Sequence, residues 1–219
     1  MAPPSLGQIW RTRWQEPGFR VELGASLGVL VGVGGLFWRF GAWIEQREGT
    51  VLRDPVLEVL PAVDLTWFIF AVLYAALGTA IWDLAHVPHR LLFACRVYAA
   101  VMLTRLIAMY LTELDDPLTA IPLQDPVSRI FFRIRTIPTK DLFFSGHTAT
   151  MFTLYLTAMT RRRRALFLGT TLVIAVAVLL QHVHYAFDVF AAPFFTYGVY
   201  RLLGRYVGER PSAPPSAAA

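Results

Sequence analysis

Charged residues are scarce in this sequence, and cysteine is almost absent. Of the 219 residues only 16% are charged, whereas a soluble domain typically has about 25%. Cys95 is the single cysteine, so the chain cannot form an internal disulfide. The chain is instead strongly apolar, because 56% of its residues are hydrophobic and its mean hydropathy is +0.50. This composition indicates a membrane protein.

The basic residues outnumber the acidic ones, 20 to 15. The arginines lie between long apolar runs, a placement typical of membrane topology and not of a nucleic-acid-binding surface. The first apolar run is long for a signal peptide, and no A-x-A cleavage pattern follows it. We therefore expect it to be retained as a membrane span, and we expect no nucleic-acid partner.

About six apolar stretches are long enough to cross a bilayer, which takes roughly 20 residues each. The sequence therefore predicts an all-α fold, a polytopic membrane helix bundle of about six transmembrane helices over residues 20–43, 65–85, 90–112, 142–160, 165–183 and 186–204. We expect a cytoplasmic N-terminal segment, a membrane domain and a disordered tail over 1–19, 20–206 and 207–219. Gly24, Gly28 and Gly32 share one helix face, which favours close approach of another helix.

The orientation follows from four consecutive arginines, Arg161 to Arg164, between the fourth and fifth stretches. Basic residues mark cytoplasmic segments, so this connection and both termini are predicted to be cytoplasmic. The opposite side receives residues 44–64 and 113–141, where acidic residues balance the basic ones.

A polar motif opens the fourth stretch on the non-cytoplasmic side. Ser145 is a suitable N-cap, and Gly146 allows the backbone to come close to a ligand. The first N–H groups of a helix favour an anion, so a phosphate there would meet N–H groups, a hydroxyl and the imidazole of His147.

A second polar motif, HVHYAFD, covers residues 182–188 between the fifth and sixth stretches. In a helix, His184 and Asp188 lie on one face, one turn apart. A carboxylate that fixes one imidazole nitrogen leaves the other as a nucleophile or base. The topology places His147 and His184 at one side and one depth of the membrane, where ionisable residues are usually functional. Metal binding by these histidines is the rival hypothesis, but no cluster of Cys or Glu supports it, so we predict no metal or other cofactor.

These motifs resemble those of the sphingomyelin synthase family, a branch of the type 2 phosphatidic acid phosphatase superfamily. The third family motif is similar to residues 141–148 (DLFFSGHT), and the fourth to residues 182–189 (HVHYAFDV). Weaker similarity lies at 61–64 (PAVD) and over 90–112, so a family-like core extends over about 61–206. The chain has Thr139-Lys140 where the family has Cys-Gly. It has Val178 where ordinary lipid phosphatases have an arginine, which favours the synthase branch.

The resemblance implies head-group transfer through a phosphohistidine. His184 would attack phosphorus, Asp188 would orient it, and His147 would serve as acid and then as base. The remaining candidates for binding substrate or phosphate are Asp141, Ser145, Gly146, Thr148, Arg105, Lys140 and Tyr185. Arg133 and Arg135 are further loop cations that could attract phosphate. Arg96 is expected nearer the cytoplasmic end, where Asp83 is a possible partner.

Three functions compete at this point. The first is a lipid phosphotransferase that moves a phospholipid head group to a ceramide or diacylglycerol-type alcohol. The second is a lipid phosphate phosphatase with water as the acceptor, and the third is a helix bundle that binds lipid without catalysis. The intact set of two histidines and an aspartate favours an enzyme over the third. We expect it in the membrane, with its site on the non-cytoplasmic face, and the short chain suits a bacterial inner membrane.

Overall fold

The structure is a computed structural model that describes residues 4–125 and 139–206. The predicted tail and the loop residues Arg133 and Arg135 lie outside the described residues. Within them every regular element is a helix. In chain order the helices are α1 (Leu6–Trp14), α2 (Pro17–Ile44), α3 (Pro55–Val59), α4 (Thr66–Ala85), α5 (Pro88–Leu111), α6 (Gly146–Thr157), α7 (Arg161–Leu180) and α8 (Ala186–Tyr206).

The all-α prediction is confirmed, but the prediction of six spans is supported for only four helices. By length and apolar composition, α2, α4, α5 and α7 can cross a membrane. The predicted fourth span is shorter as a helix, because α6 has only 12 residues and a length of about 18 Å against a hydrocarbon core of about 30 Å. The sixth, α8, is long enough but carries Asp188, Arg201 and Arg205, and it is not among the four.

Short as it is, α6 is the helix around which the others pack. It contacts α4, α5, α7 and α8. One core cluster joins α4, α6 and α7 around Ile69, Met151 and Ile174, and a second joins α5, α6 and α8 around Val97 and Ala149. A residue at the start of α6 is therefore held from several sides at once.

Helix α2 lies at the edge of the bundle and packs mainly on α5. Only four of its residues are buried, so most of its apolar surface faces outward. The prediction for its glycine stripe was wrong within this chain. A Cβ added at Gly24, Gly28 or Gly32 would meet no atom within 4 Å, so no other helix of the described chain approaches closely there.

The helix ends at the predicted cytoplasmic side are held by a few polar contacts. The four arginines are not a loop but the first turn of α7, where Arg163 pairs with Asp83 at 2.6 Å. Arg96 therefore does not pair with Asp83. It donates to the Ser26 hydroxyl at 2.9 Å and lies 3.5 Å from Glu22, because α2 packs directly beside it.

Loops cover the opposite ends of the helices. The backbone of Thr50 pairs with Glu113 and Asp115, and Thr139 donates twice to Glu45. Gln181, which is fully buried, accepts from the Leu65 backbone at 2.7 Å. The same side chain donates to the hydroxyl of Thr66 and the carbonyl of Ile121. Residues distant in sequence are thus joined into one layer above the start of α6.

Candidate functional site

His184 and Asp188 meet at the turn between α7 and α8. The chain leaves α7 through His182, which takes a left-handed conformation with φ 57°, and α8 begins at Ala186. His184 Nδ1 lies 3.3 Å from Asp188 Oδ2, and the two side chains are 4% and 0% exposed. In this arrangement Nδ1 faces the carboxylate, and Nε2 makes no hydrogen bond to any residue in the described part of the chain. The predicted pairing is present.

The buried carboxylate of Asp188 is well compensated. Besides His184, it accepts hydrogen bonds from the backbone N–H groups of Tyr185 at 3.1 Å and Phe143 at 3.2 Å. It also lies in the first turn of α8, where the helix dipole favours a negative charge. A buried carboxylate needs such partners, and Asp188 has three of them.

Asp188 also joins the two sequence motifs. Its backbone carbonyl accepts from the N–H of Ser145 at 2.9 Å, and its side chain accepts from Phe143. Phe143 and Phe144 have positive φ angles of 63° and 52°, an unfavourable conformation for large residues. The fully buried ring of Phe144 stacks on Phe195 with a centroid separation of 5.0 Å. Packing and the Asp188 bonds together fix the backbone just before His147.

His147 is the second residue of α6 and is half-buried. Its ring meets Phe70 edge-on at 5.8 Å, and its buried Nδ1 has no hydrogen-bond partner among the residues that the structure describes. The imidazole is close enough to His184 and Arg105 to interact with both electrostatically. The structure thus brings His147, His184 and Asp188 into one neighbourhood, as the motifs predicted.

Arg105 of α5 lies against the start of α6 and is only 2% exposed. Its Nε donates to the carbonyl of Phe144 at 3.1 Å, and its guanidinium pairs with the carboxylate of Asp141. The charge also lies over the rings of Phe37 and Phe144, at 5.3 and 5.8 Å from their centroids. Arg105 and Asp141, both predicted from the sequence, are therefore direct partners.

Gly146 lies directly against the guanidinium of Arg105. A Cβ at this position would lie 2.7 Å from the guanidinium carbon of Arg105. The sequence predicted that this glycine admits a ligand, and in the structure it admits a cation of the protein itself. The guanidinium and the positive end of α6 repel each other unless an anion lies between them. This juxtaposition favours an anion near Gly146, and the Asp141 carboxylate is paired with the same guanidinium.

Two other predicted residues are engaged in the loop layer. Lys140 forms an ion pair with the carboxylate of Asp115, and this contact holds the pKa of Asp115 below its usual value. The hydroxyl of Tyr185 donates to the Asp115 carbonyl at 2.8 Å and accepts from the Leu52 backbone at 3.0 Å. Both side chains therefore hold the loops together in this structure, and neither lines the cavity beside His147.

Ser145 and Thr148 are buried and bonded to each other. The Ser145 hydroxyl caps α6 by accepting from the Thr148 backbone at 3.4 Å, as predicted, and it also accepts from the Thr148 hydroxyl at 3.1 Å. His182 is separate from this group, because its Nδ1 is bonded to the Thr119 hydroxyl. No three His, Cys, Asp or Glu residues cluster as metal ligands within residues 4–125 and 139–206.

A cavity of about 730 Å³ begins at this site. His147, Arg105 and Asp141 line its polar end, and side chains of α2, α4, α5 and α6 form its mostly apolar walls. His184 is not among the residues that line the cavity. Asp125, which was not predicted from the sequence, also lines the cavity and accepts from the Tyr74 hydroxyl at 2.8 Å. No periodic pattern in the loop around Asp125 marked it.

Comparison with known proteins gives one family match. No curated protein and no solved structure shows significant similarity to the chain. Residues 140–205, which carry both histidine motifs and the aspartate that joins them, match the family described as PAP2 superfamily C-terminal.

Proposed function

We propose that this chain is a membrane lipid phosphotransferase that resembles sphingomyelin synthase. Members of the PAP2 superfamily are generally enzymes that act on lipid phosphates. The observation that carries the proposal is the pairing of buried His184 with Asp188, beside His147 and the cation Arg105. A nucleophile oriented by a carboxylate, with a second acid–base group next to it, is the arrangement that covalent catalysis requires.

In the proposed first step, His184 Nε2 attacks the phosphorus of a phospholipid. A nitrogen–phosphorus bond forms, and the bond from phosphorus to the diacylglycerol oxygen breaks. His147 gives its proton to that oxygen, so diacylglycerol leaves as a neutral alcohol. Asp188 stabilises the positive charge that develops on His184.

In the second step, an alcohol takes the head group from the phosphohistidine. His147, now neutral, removes the proton of the alcohol as its oxygen attacks phosphorus, and the bond from phosphorus to His184 breaks. The head group leaves on the new lipid, and both histidines return to their starting states. The proposed donor is a phospholipid, and the acceptor is a ceramide or a diacylglycerol-type alcohol.

The start of α6 suits the phosphoryl oxygens. Arg105 lies against Gly146 at the start of α6, where a helix favours an anion, and its present partner is Asp141. A phosphate that binds there would share Arg105 with Asp141 or displace that carboxylate. Fixed charges in a buried site stabilise the transition state strongly, because they need not reorganise during the reaction.

Two observations favour transfer over hydrolysis. Val178, at the position where ordinary lipid phosphatases have an arginine, is fully buried in the apolar cluster between α4, α6 and α7. The cavity beside His147 is also mostly apolar, so it favours a lipid alcohol over water. A lipid phosphate phosphatase, with water as the acceptor, is the alternative function.

The two functions predict different products from the same labelled donor. Purified protein in vesicles would receive a phospholipid labelled in its head group, with or without ceramide or diacylglycerol. We expect a new labelled lipid that depends on the added alcohol, with at least about tenfold less water-soluble phosphate ester. A soluble labelled product formed equally with and without the alcohol would instead support the phosphatase.

A further inference from the structure

We propose that the cleft between α2 and α4 takes one acyl chain of the lipid out of the bilayer, and that the small side chain of Ala94 leaves the far end of the cleft open to long chains. The inference rests on the proposed function for the identity of the ligand as a lipid with a phosphorylated head group. It concerns the apolar part of the cavity, which the reaction chemistry does not use.

The cleft exists because α2 and α4 both lie beside α5 but do not form a packed pair with each other. The floor between them is made by α5 and α6, and apolar residues of α2 and α4, such as Val33 and Leu77, form the two sides. In a membrane this opening faces lipid, so a chain reaches it by sideways movement without crossing water.

The cleft runs from the polar end almost to the opposite end of the bundle. Its lining residues on α5 extend from Arg105 to Leu91, which are about 21 Å apart at 1.5 Å per residue. Half of the hydrocarbon core is only about 15 Å thick. A chain whose head group lies at Arg105 therefore passes the bilayer midplane, and the cleft fits an extended chain better than a compact ring system.

The two ends of the cleft differ in chemistry in the way that a lipid does. One end holds Arg105 and His147, which suit a phosphate, and the far end is lined by Leu84, Leu91 and Ala94. The volume of about 730 Å³ is within the range of roughly 300–1,000 Å³ of pockets that hold one small ligand. One chain and a head group therefore fill it, and a second chain stays outside in the bilayer.

Selection by chain length follows from shape and not from affinity. Lipid tails are as apolar as the leucines of the cleft, so moving a chain from bilayer to cleft gains little free energy. The head group at Arg105 provides the binding, and the cleft acts by excluding chains that are too long. Ala94 lies about 16 Å from Arg105 along α5, where a larger side chain would close the far end.

A cross-linking experiment tests the cleft without requiring catalysis. Wild-type protein in vesicles would receive phospholipids with a diazirine either at the end of one chain or near its carbonyl. We expect the terminal probe to label the segments around Leu84 and Leu91, and the carbonyl probe to label those around Tyr74 and Tyr98. Labelling by both probes only on the outward-facing Trp67 and Trp82, or cross-links to a second copy of the chain in the cleft, would overturn the proposal.

An activity experiment tests the role of Ala94. Ala94→Phe should lower the turnover of long-chain relative to short-chain donors by at least tenfold. Ala75→Phe is the matched control, because Ala75 is exposed on α4 and does not line the cleft. Equal chain preference in both variants would overturn the role of Ala94. If the chain-end diazirine probe labels the cleft but the protein shows no head-group transfer, the acyl-chain site is supported and only the proposed function is rejected.

Discussion

Replacing His184 with alanine should lower head-group transfer by more than about a thousandfold, because it removes the proposed nucleophile. The protein should still fold and insert. His184 Nε2 has no hydrogen-bond partner among the described residues, and in the variant Asp188 would still accept hydrogen bonds from the backbone N–H groups of Tyr185 and Phe143. The measurement is transfer of a labelled head group in vesicles, together with a search for acid-labile label on the protein. We expect that label on the wild type and not on the variant.

His89→Ala is the control for this experiment. His89 is exposed at the other end of the bundle, so its loss should leave activity unchanged. Near-normal transfer by His184→Ala would exclude the phosphohistidine. If His184→Ala loses transfer but no longer elutes as a folded protein, transfer should be measured in His184→Gln instead. Glutamine is similar in size to histidine but cannot be the nucleophile.

Gly146→Ala should lower transfer by about a hundredfold, although it adds a single methyl group. That methyl would collide with the guanidinium of Arg105, which must then shift from its position against Gly146. Loss of one fixed charge-stabilising group costs about 10²–10³ in rate. The measurement is kcat at saturating donor, since the effect falls on the transition state more than on lipid binding.

Gly169→Ala is the matched control, because a Cβ there meets no atom within 4 Å and alanine favours a helix. We expect normal transfer by that variant. Full activity in Gly146→Ala would mean that Arg105 does not act from the position seen in the structure.

Much of the fold was predictable because a membrane restricts what apolar sequences can do. The predicted stretches 65–85 and 90–112 agree within two residues with α4 and α5. The fourth stretch was predicted poorly, since hydropathy detects apolar residues and not where a helix begins. Residues 142–145 are as apolar as a span, yet Phe143 and Phe144 have positive φ angles and lie before α6.

The candidate site was predictable where it depends on local spacing. His184 and Asp188 are four residues apart and pair as expected, and Ser145 caps α6. Contacts between distant segments were not predictable in the same way. The pairing of Arg105 with Asp141 joins residues 36 positions apart, and no property of either residue alone indicates the other.

Asp188 makes the site hard to divide into independent parts. One carboxylate orients the proposed nucleophile and accepts a hydrogen bond from the backbone N–H of Tyr185. It also accepts from the backbone N–H of Phe143, in the segment that positions His147. A substitution there would alter the acid–base group as well as the nucleophile. Rate losses from Asp188 and His147 variants should therefore not add in a double-mutant cycle, and the coupling free energy would report a shared backbone contact and not a direct meeting of the two side chains.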